Sequence, residues 1–382
     1  MVSLGDIVRG ECARYLQTHY TWPIQRKALR DIARCRTEAL GSTPATCDDC
    51  ESEYRLWCSC GNGSCPQCGG EARKKWLEGR EQELLPVPYL QIVFAVPREF
   101  YVLARYCPKT FYNAVMHAAG QAVMDVGRSE LHIQLGCHAQ FHTWTQKMLE
   151  YLHVHLALPA GGFSEDGSRW VAFEAEDLPV DALRKRFGTL LCRAVQNAAR
   201  KGRFECLPPT VRIEQVLARA RAHRWKVHAK PPFGGPEGLL QYLAQYMYRV
   251  AITNERIESY ENHQVTFWCR NSACGSEETL YTLDGEEFLK RFLIHVPPKG
   301  FVRARSYGFL SNRNRKKNRT RAVELIGQAN KPPSRAPFKP LRLCPECARK
   351  RGIRKTHFAP VPDVESQIDL PLRPPPIEPL AA

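Results

Sequence analysis

The stretch from Cys47 to Cys68 holds six cysteines, at positions 47, 50, 58, 60, 65 and 68, and few large apolar side chains. A piece of this composition buries too little carbon to fold by itself, so a bound metal ion has to supply the missing free energy. Cys47-x-x-Cys50 and Cys65-x-x-Cys68 are two thiolate pairs with 14 residues between them. Two such knuckles can wrap one tetrahedral Zn2+, each sulfur about 2.3 Å from the ion. The spacing therefore assigns Cys47, Cys50, Cys65 and Cys68 as structural zinc ligands. Cys58 and Cys60 are left as spare thiols, alternative ligands or part of a second site, and are expected to be dispensable. A closed four-sulfur site has no open coordination position, so catalysis has to come from elsewhere in the chain.

Charge narrows the class of partner. Lys and Arg number 55 against 39 Asp and Glu, a formal net charge of +16 over 382 residues. A positive excess of this size suits a partner whose negative charge is dense and repetitive, and nucleic acid fits better than a membrane surface because no basic amphipathic anchor stands out. Polar residues interrupt every apolar run well short of the roughly 20 residues a membrane-crossing helix needs. Asp6, Arg9 and Glu11 stand where a secretory signal would be apolar, so an intracellular protein bound to DNA is expected. In a reducing compartment the 16 cysteines point to metal rather than to disulfides. Cys344-Pro-Glu-Cys347 is half a zinc site, which Cys269 and Cys274 would complete; an unmetallated pair is the alternative.

The periodicities predict helix within residues 1 to 40, a charged helix from Glu71 to Leu85 and a buried strand at Tyr89 to Pro97. A helical stretch follows from Arg98 to about Val126, then strands at His132 to Trp144, Tyr151 to Leu158 and Trp170 to Phe173, with Gly161 and Gly162 read as a turn. Asp181 to Lys201 reads as helix, Arg224 to Ala229 as strand and Gly238 to Tyr248 as helix. Adjacent strand runs among helices favour an α+β fold with a largely antiparallel central sheet. Residues 331 to 382 hold 12 of the 28 prolines and are expected to lack a packed core.

Leu152-His153-Val154-His155-Leu156 puts two imidazoles on one face of a strand and the apolar residues on the other. Side by side they form a metal-binding geometry, although the motif alone is weak. Tyr242-Leu-Ala-Gln-Tyr246 puts two phenols one turn apart on a helix face. Alone this pattern reads as an aromatic core stripe. Together the elements suggest chemistry, because a tyrosine can attack a DNA phosphate when a histidine-held divalent ion neutralises the developing charge.

With these motifs the sequence resembles the two-tyrosine HUH transposases of rolling-circle insertion sequences, which join an N-terminal zinc-binding domain to the transposase domain. IARCRTEALG, CDDC, CPQC, LPVPYLQIVFAVP, FHTW, LHVHLALPAGG, HAKPPFGGPEGLLQYLAQYMYRVAI and HVPPKGFVRARSYGFL follow one another over roughly residues 10 to 312. The resemblance implies an HUH endonuclease domain with His153 and His155 as metal ligands, Tyr242 and Tyr246 as nucleophiles, and Cys47, Cys50, Cys65 and Cys68 on zinc. It implies nicking of single-stranded DNA at the ends of the element through a 5′-phosphotyrosine, followed by strand transfer, with Mg2+ or Mn2+ as the catalytic ion. Relatives often carry a histidine where this chain has Tyr151, and another where it has Ser64. The third catalytic ligand is therefore open between His142 and Gln146.

Lys230 precedes the tyrosine segment, where a cation could meet the scissile phosphate. Arg219, Arg221, His223, Arg224, Trp225 and Lys226 form one basic run. Arg303, Arg305, Arg313, Arg315, Lys316, Lys317, Arg319 and Arg321 form a second, with Phe301, Tyr307 and Phe309 interleaved, a composition suited to phosphate contacts and base stacking. The expected organisation is a helical and zinc-binding module over 1–85, the HUH domain over 86–270, a basic DNA-binding extension over 271–330 and a proline-rich tail over 331–382. A replication initiator or relaxase using the same nicking chemistry is one alternative function, and an inactive zinc-dependent DNA-binding protein is another.

Overall fold

A computed structural model describes residues 2–47, 50–69, 84–233, 250–271 and 277–327. The chain opens with helix α1 (Leu4–Thr18), capped by Ser3, whose hydroxyl accepts from the Asp6 N–H while the Asp6 carboxylate accepts from the Ser3 N–H. Helix α2 (Pro23–Arg34) starts on a proline and buries Ala28, Leu29, Ile32 and Ala33. A two-stranded hairpin follows, β1 (Ser42–Thr46) with β2 (Glu53–Trp57), in register from Ser42↔Trp57 to Thr46↔Glu53.

The central sheet has five strands in the order β13-β5-β6-β3-β9, with every neighbouring pair antiparallel. They are β3 (Tyr89–Ala95), β5 (Gly136–Trp144), β6 (Glu150–Pro159), β9 (Lys226–Phe233) and β13 (Ala304–Gly308). Alternation divides its residues cleanly. Leu90, Ile92 and Phe94, Cys137, Ala139 and Phe141, and Leu152, Val154 and Leu156 enter one core. That core is closed by helices α3 (Tyr101–Tyr106), α4 (Pro108–Ser129) and α5 (Val180–Arg200) through side chains such as Leu103, Phe111, Val115, Phe187 and Leu191. The intervening residues of these three strands form the opposite face, which carries Gln91, His138, Gln140, His142, His153 and His155, all buried.

Strand β13 lies within the segment expected to be a basic extension, yet it forms an edge of the central sheet, with Tyr307 donating to the Met116 carbonyl of α4. A second sheet, β10 (Ile257–Glu261), β11 (Gln264–Asn271) and β12 (Glu277–Asp284), runs across the expected boundary at residue 270. With helix α7 (Gly285–Leu293) it shares one apolar core with α1 and α2, through Phe267, Phe288 and Phe292 against Leu4, Ile7 and Leu29. The buried Glu11 fastens this union by accepting from Tyr260 and from His263, each at 2.7 Å.

Gly161 and Gly162 are not a turn. They begin strand β7 (Gly161–Ser164), which pairs with β4 (Ile133–Gln134) and β8 (Trp170–Ala172). The reversal lies beyond it, where Gly167 takes a positive φ of 71° and Asp166 accepts from the Ser168 N–H. The long helical stretch after Arg98 is divided at Cys107, where Pro108 starts α4. Cys107 is disulfide-bonded to Cys206, a pairing that the expectation of metal-only cysteines did not foresee, because neither belongs to a C-x-x-C motif. Helix α6 (Ile213–Ala222), absent from the sequence reading, leads to β9, and helix α8 (Arg315–Ile326) closes the described residues.

Candidate active site and metal centres

Two clusters of metal-ligating side chains form among the described residues. The first is made of Cys35, Cys60, Cys65 and Cys68, whose sulfurs all lie within 4.8 Å of one another. Cys68 Sγ is 3.5 Å from both Cys35 Sγ and Cys60 Sγ. A tetrahedral site with 2.3 Å Zn–S bonds sets its sulfurs about 3.8 Å apart, so the group fits zinc. Hydrogen bonds from Cys35, Cys60 and Cys65 hold the Cys68 thiol well below its ordinary range, whereas Cys65 is pushed up by Cys35 and the others. Four thiols this close can exchange their protons for a single cation held among the sulfurs.

Local structure brings these four together. Cys35 caps the C-terminus of α2, and Arg36 then takes a positive φ and donates its N–H to the Cys58 carbonyl. Cys60 follows β2, and Asn62 accepts from the Ser64 N–H while its amide donates to Asp31 of α2. Cys65 stands immediately before the helical residues 66–69, and Cys68 lies on them. Of the expected set, Cys65 and Cys68 belong to this cluster together with Cys35 and Cys60, while Cys47 and Cys50 lie outside it. The reason is the hairpin. Cys47 and Cys50 flank its tip, where the Glu51 N–H donates to the Cys47 carbonyl, whereas Cys58 and Gly41 close its base. Five paired positions separate the ends, about 14 Å of extended chain.

The second cluster is His142, His153 and His155, all buried, with ring nitrogens within 4.8 Å of one another. His153 and His155 share a face of β6, and the register sets His142 of β5 directly opposite His153. Between the two candidates for a third ligand, the structure brings His142 to the pair. The Gln146 carbonyl, beyond the end of β5, accepts from Arg256 and faces Cys269 Sγ at 3.4 Å. His153 Nδ1–H donates to the Tyr151 carbonyl at 2.9 Å, which leaves Nε2 for an ion. Burial holds this imidazole down to about 4, so it is a neutral ligand at physiological pH. The side-chain amide nitrogen of Gln91 on β3 lies 3.0 Å from His155 Nδ1 and contacts that ring. Trp144 stacks on His142, with ring centroids 4.9 Å apart. Gln140, opposite His155 in the register, is buried with its Oε1 atom unpartnered, a spare acceptor beside the imidazoles. A divalent ion, with water completing its shell, suits this donor set.

Tyr242, Tyr246, Cys344 and Cys347 lie outside the described residues. So does Cys274, and of Lys230 the backbone alone is placed, in β9 opposite Gln91. Arg303 donates to the His295 carbonyl at 3.0 Å and rests over Trp144, where burial lowers its guanidinium to about 10. Arg305 donates to the Val302 carbonyl and to Asn113, over the Phe301 ring. These two arginines are engaged with the protein. Arg315 donates to Asn312 at 2.9 Å, while Lys316 and Lys317 stand exposed on α8. Sequence reasoning missed Cys35, Gln91 and Gln140, and named Cys60 only as an alternative ligand. Gln91 was findable, as a polar residue inside an otherwise apolar strand.

Residues 136–318 match the family model described as "putative transposase", and residues 7–96 match the one described as "transposase zinc-binding domain". A protein of Sinorhizobium fredii named "putative transposase y4qJ" is 34% identical over 374 residues, covering 92% of this chain and 94% of its own. The transposase for insertion sequence element IS801 of Pseudomonas savastanoi pv. phaseolicola is 25% identical over 308 residues, 76% of this chain and 71% of its own. Among solved structures, the conjugative relaxase TrwC in complex with oriT DNA aligns over 64% of this chain and 95% of that chain, at 13% identity and a TM-score of 0.24, too loosely to carry an argument. No helix among the described residues is long and apolar enough to cross a membrane. With a zinc-binding segment before the histidine-bearing sheet and a relative matched along nearly its whole length, the chain belongs to the two-tyrosine insertion-sequence transposases that carry a transposase zinc-binding domain.

Proposed function

We propose that this transposase nicks single-stranded DNA at the ends of its element through a 5′-phosphotyrosine and then transfers the strand. The observation that carries the reading is the buried trio His142, His153 and His155 on adjacent strands of one sheet. A phenolic oxygen of Tyr242 or Tyr246 forms the new bond to phosphorus, the bond from phosphorus to the 3′-oxygen breaks, and the phenol proton ends on the released 3′-hydroxyl. The phosphotyrosine keeps the energy of the broken diester, so a waiting 3′-hydroxyl can reverse the exchange without a nucleotide cofactor. A second tyrosine permits a second exchange before the first linkage resolves.

A divalent ion on the three imidazoles supplies Lewis-acid stabilisation of the charge that develops on the phosphoryl oxygens. Of Mg2+ and Mn2+, the second suits an all-nitrogen protein set better, since Mg2+ prefers oxygen and keeps its water. The chain's own contribution is to hold three imidazoles in place through Tyr151, Gln91 and Trp144 and to keep bulk water from them by burial. Lys230 is proposed to meet the scissile phosphate, and Lys316 and Lys317 the flanking backbone. The four-thiol cluster is proposed to hold a structural zinc.

The test is to incubate the full chain with labelled single-stranded DNA from the ends of its element and Mn2+, followed by a denaturing gel. A covalent adduct that disappears in the Tyr242→Phe, Tyr246→Phe double variant and in His153→Ala is expected. DNA binding with no adduct under any metal condition would overturn the reading.

A further inference from the structure

The described residues include a groove of about 570 Å3 on the helical side of the molecule, away from the histidine face. Its walls are one face of α5 and the connection from α6 into β9, and its cations are Arg184, Lys185, Arg193, Arg221, His223 and Arg224. On α5 the lining positions 184, 185, 188, 189, 192, 193 and 196 recur at helical spacing, so the charges form one stripe. The connection places Arg221, His223 and Arg224 across from it, all exposed.

The floor is built to be rigid. Trp225 is 9% exposed, donates its indole N–H to the Ala220 carbonyl at 3.0 Å and packs edge-on against Phe187. Gly188 lets α5 approach the ring, since a Cβ there would meet the indole at 3.0 Å. The carboxylates paired to this group of cations are Asp181, with Arg184, and Glu99, with His223. Among the described residues Lys185, Arg193 and Arg224 form no ion pair. Several cations converging on one concave surface, with Thr189 and Gln196 as neutral hydrogen-bonding groups between them, repel one another unless something anionic lies there.

From this geometry we infer that the α5–α6 groove binds the phosphate backbone of a DNA segment outside the cleavage site. The spacing of charges along a helix matches a repeating polyanion. The buried indole is unavailable for base stacking, so contact is through phosphates and is independent of sequence. Strand β9 is an edge of the central sheet and begins at Lys226, directly after the groove, while further along it Lys230 pairs with Gln91 of the histidine face. DNA held in the groove therefore passes around the β9 edge toward the histidines, which makes the groove a second anchor that fixes the path of the flanking strand.

The experiment compares the full wild-type chain with Lys185→Gln, Arg193→Gln, Arg224→Gln in one variant, using fluorescent single-stranded and duplex probes of arbitrary sequence over a series of NaCl concentrations. Loss of three phosphate contacts makes the slope of log affinity against log salt shallower by about two to three and weakens binding on the order of tenfold or more at low salt. Whether the single strand or the duplex shows the larger change identifies the bound form. Thr189→Glu, which adds a carboxylate to the exposed wall without removing a cation, is expected to weaken binding in the same direction. Unchanged affinity and slope on both probes, with both variants folded, would overturn the inference. Adduct formation on a short oligonucleotide is scored in parallel: no adduct from either chain, together with a changed slope, sinks the nuclease reading and leaves the groove standing.

Discussion

The two candidate metal centres are assembled by opposite means. The three histidines sit on two adjacent strands, where period-two alternation and a single register fix all of them at once. The four cysteines come from the end of one helix, the exit of a hairpin and the start of another helical segment, brought together by tertiary packing. The histidine site is a rigid surface that meets a ligand already formed. The cysteine site lies at the seam of α1, α2 and the β10–β12 sheet, with Cys35 and Cys65 inside that shared core, so its ion and its fold support one another. A sheet can display ligands without needing the metal, whereas the segment after α2 has little else to hold it.

The largest expected effect separates the two centres directly. Cys35→Ala or Cys60→Ser is expected to lose the zinc and unfold the N-terminal module, because structural zinc supplies apparent binding free energies on the order of 10 kcal/mol. Cys47→Ser and Cys50→Ser should retain one zinc per chain by elemental analysis. The reverse pattern would return the ligand set to the hairpin tip.

Next comes His142→Ala, which is expected to cut adduct formation by more than about 100-fold and to leave the zinc content and the melting temperature near wild type. A loss of zinc in this variant would erase the distinction between the centres. A smaller effect is expected from Gln91→Leu, which deprives His155 of its orienting partner and should weaken divalent-ion affinity by about 10- to 100-fold, read by Mn2+ titration.

The smallest effect is on stability. His295 is buried and neutral, accepting from Thr143 and donating to the Met148 carbonyl, and burial lowers it from 6.5 to about 4. Between those values the unfolded chain binds a proton that the folded chain refuses, so stability falls as pH drops through this window and is fully present above it. Urea midpoints at pH 7, 5 and 4 should show this fall, and His295→Gln should reduce it, leaving the part that His153 contributes over the same window.

Much of the histidine site was legible in the sequence, because Leu152 to Leu156 states its own alternation and the strand-like run ending at Trp144 supplied His142. The tie between them needed the register, which sets His142 opposite His153, and no local pattern fixes that pairing. The cysteine cluster was less legible, because C-x-x-C spacing is a local rule, while the hairpin carries Cys47 and Cys50 away from Cys65 and Cys68. Cys35 has no cysteine neighbour in the chain to mark it. The five-stranded sheet was foreseen in type, but β13 was hidden, since Arg303 and Arg305 read as nucleic-acid contacts in a segment that also closes a sheet edge. Composition identified the charge correctly and could not say which arginines the protein itself uses.

The most direct test of the account removes one ion and keeps the other. The full chain is dialysed against a mild chelator that leaves zinc on its four thiols, then assayed for adduct formation on single-stranded DNA before and after adding Mn2+. A folded, zinc-bound protein is expected that forms no adduct until Mn2+ restores it, and that never does so in His142→Ala. Adduct formation by the wild-type chain with no divalent ion beyond the zinc would contradict it.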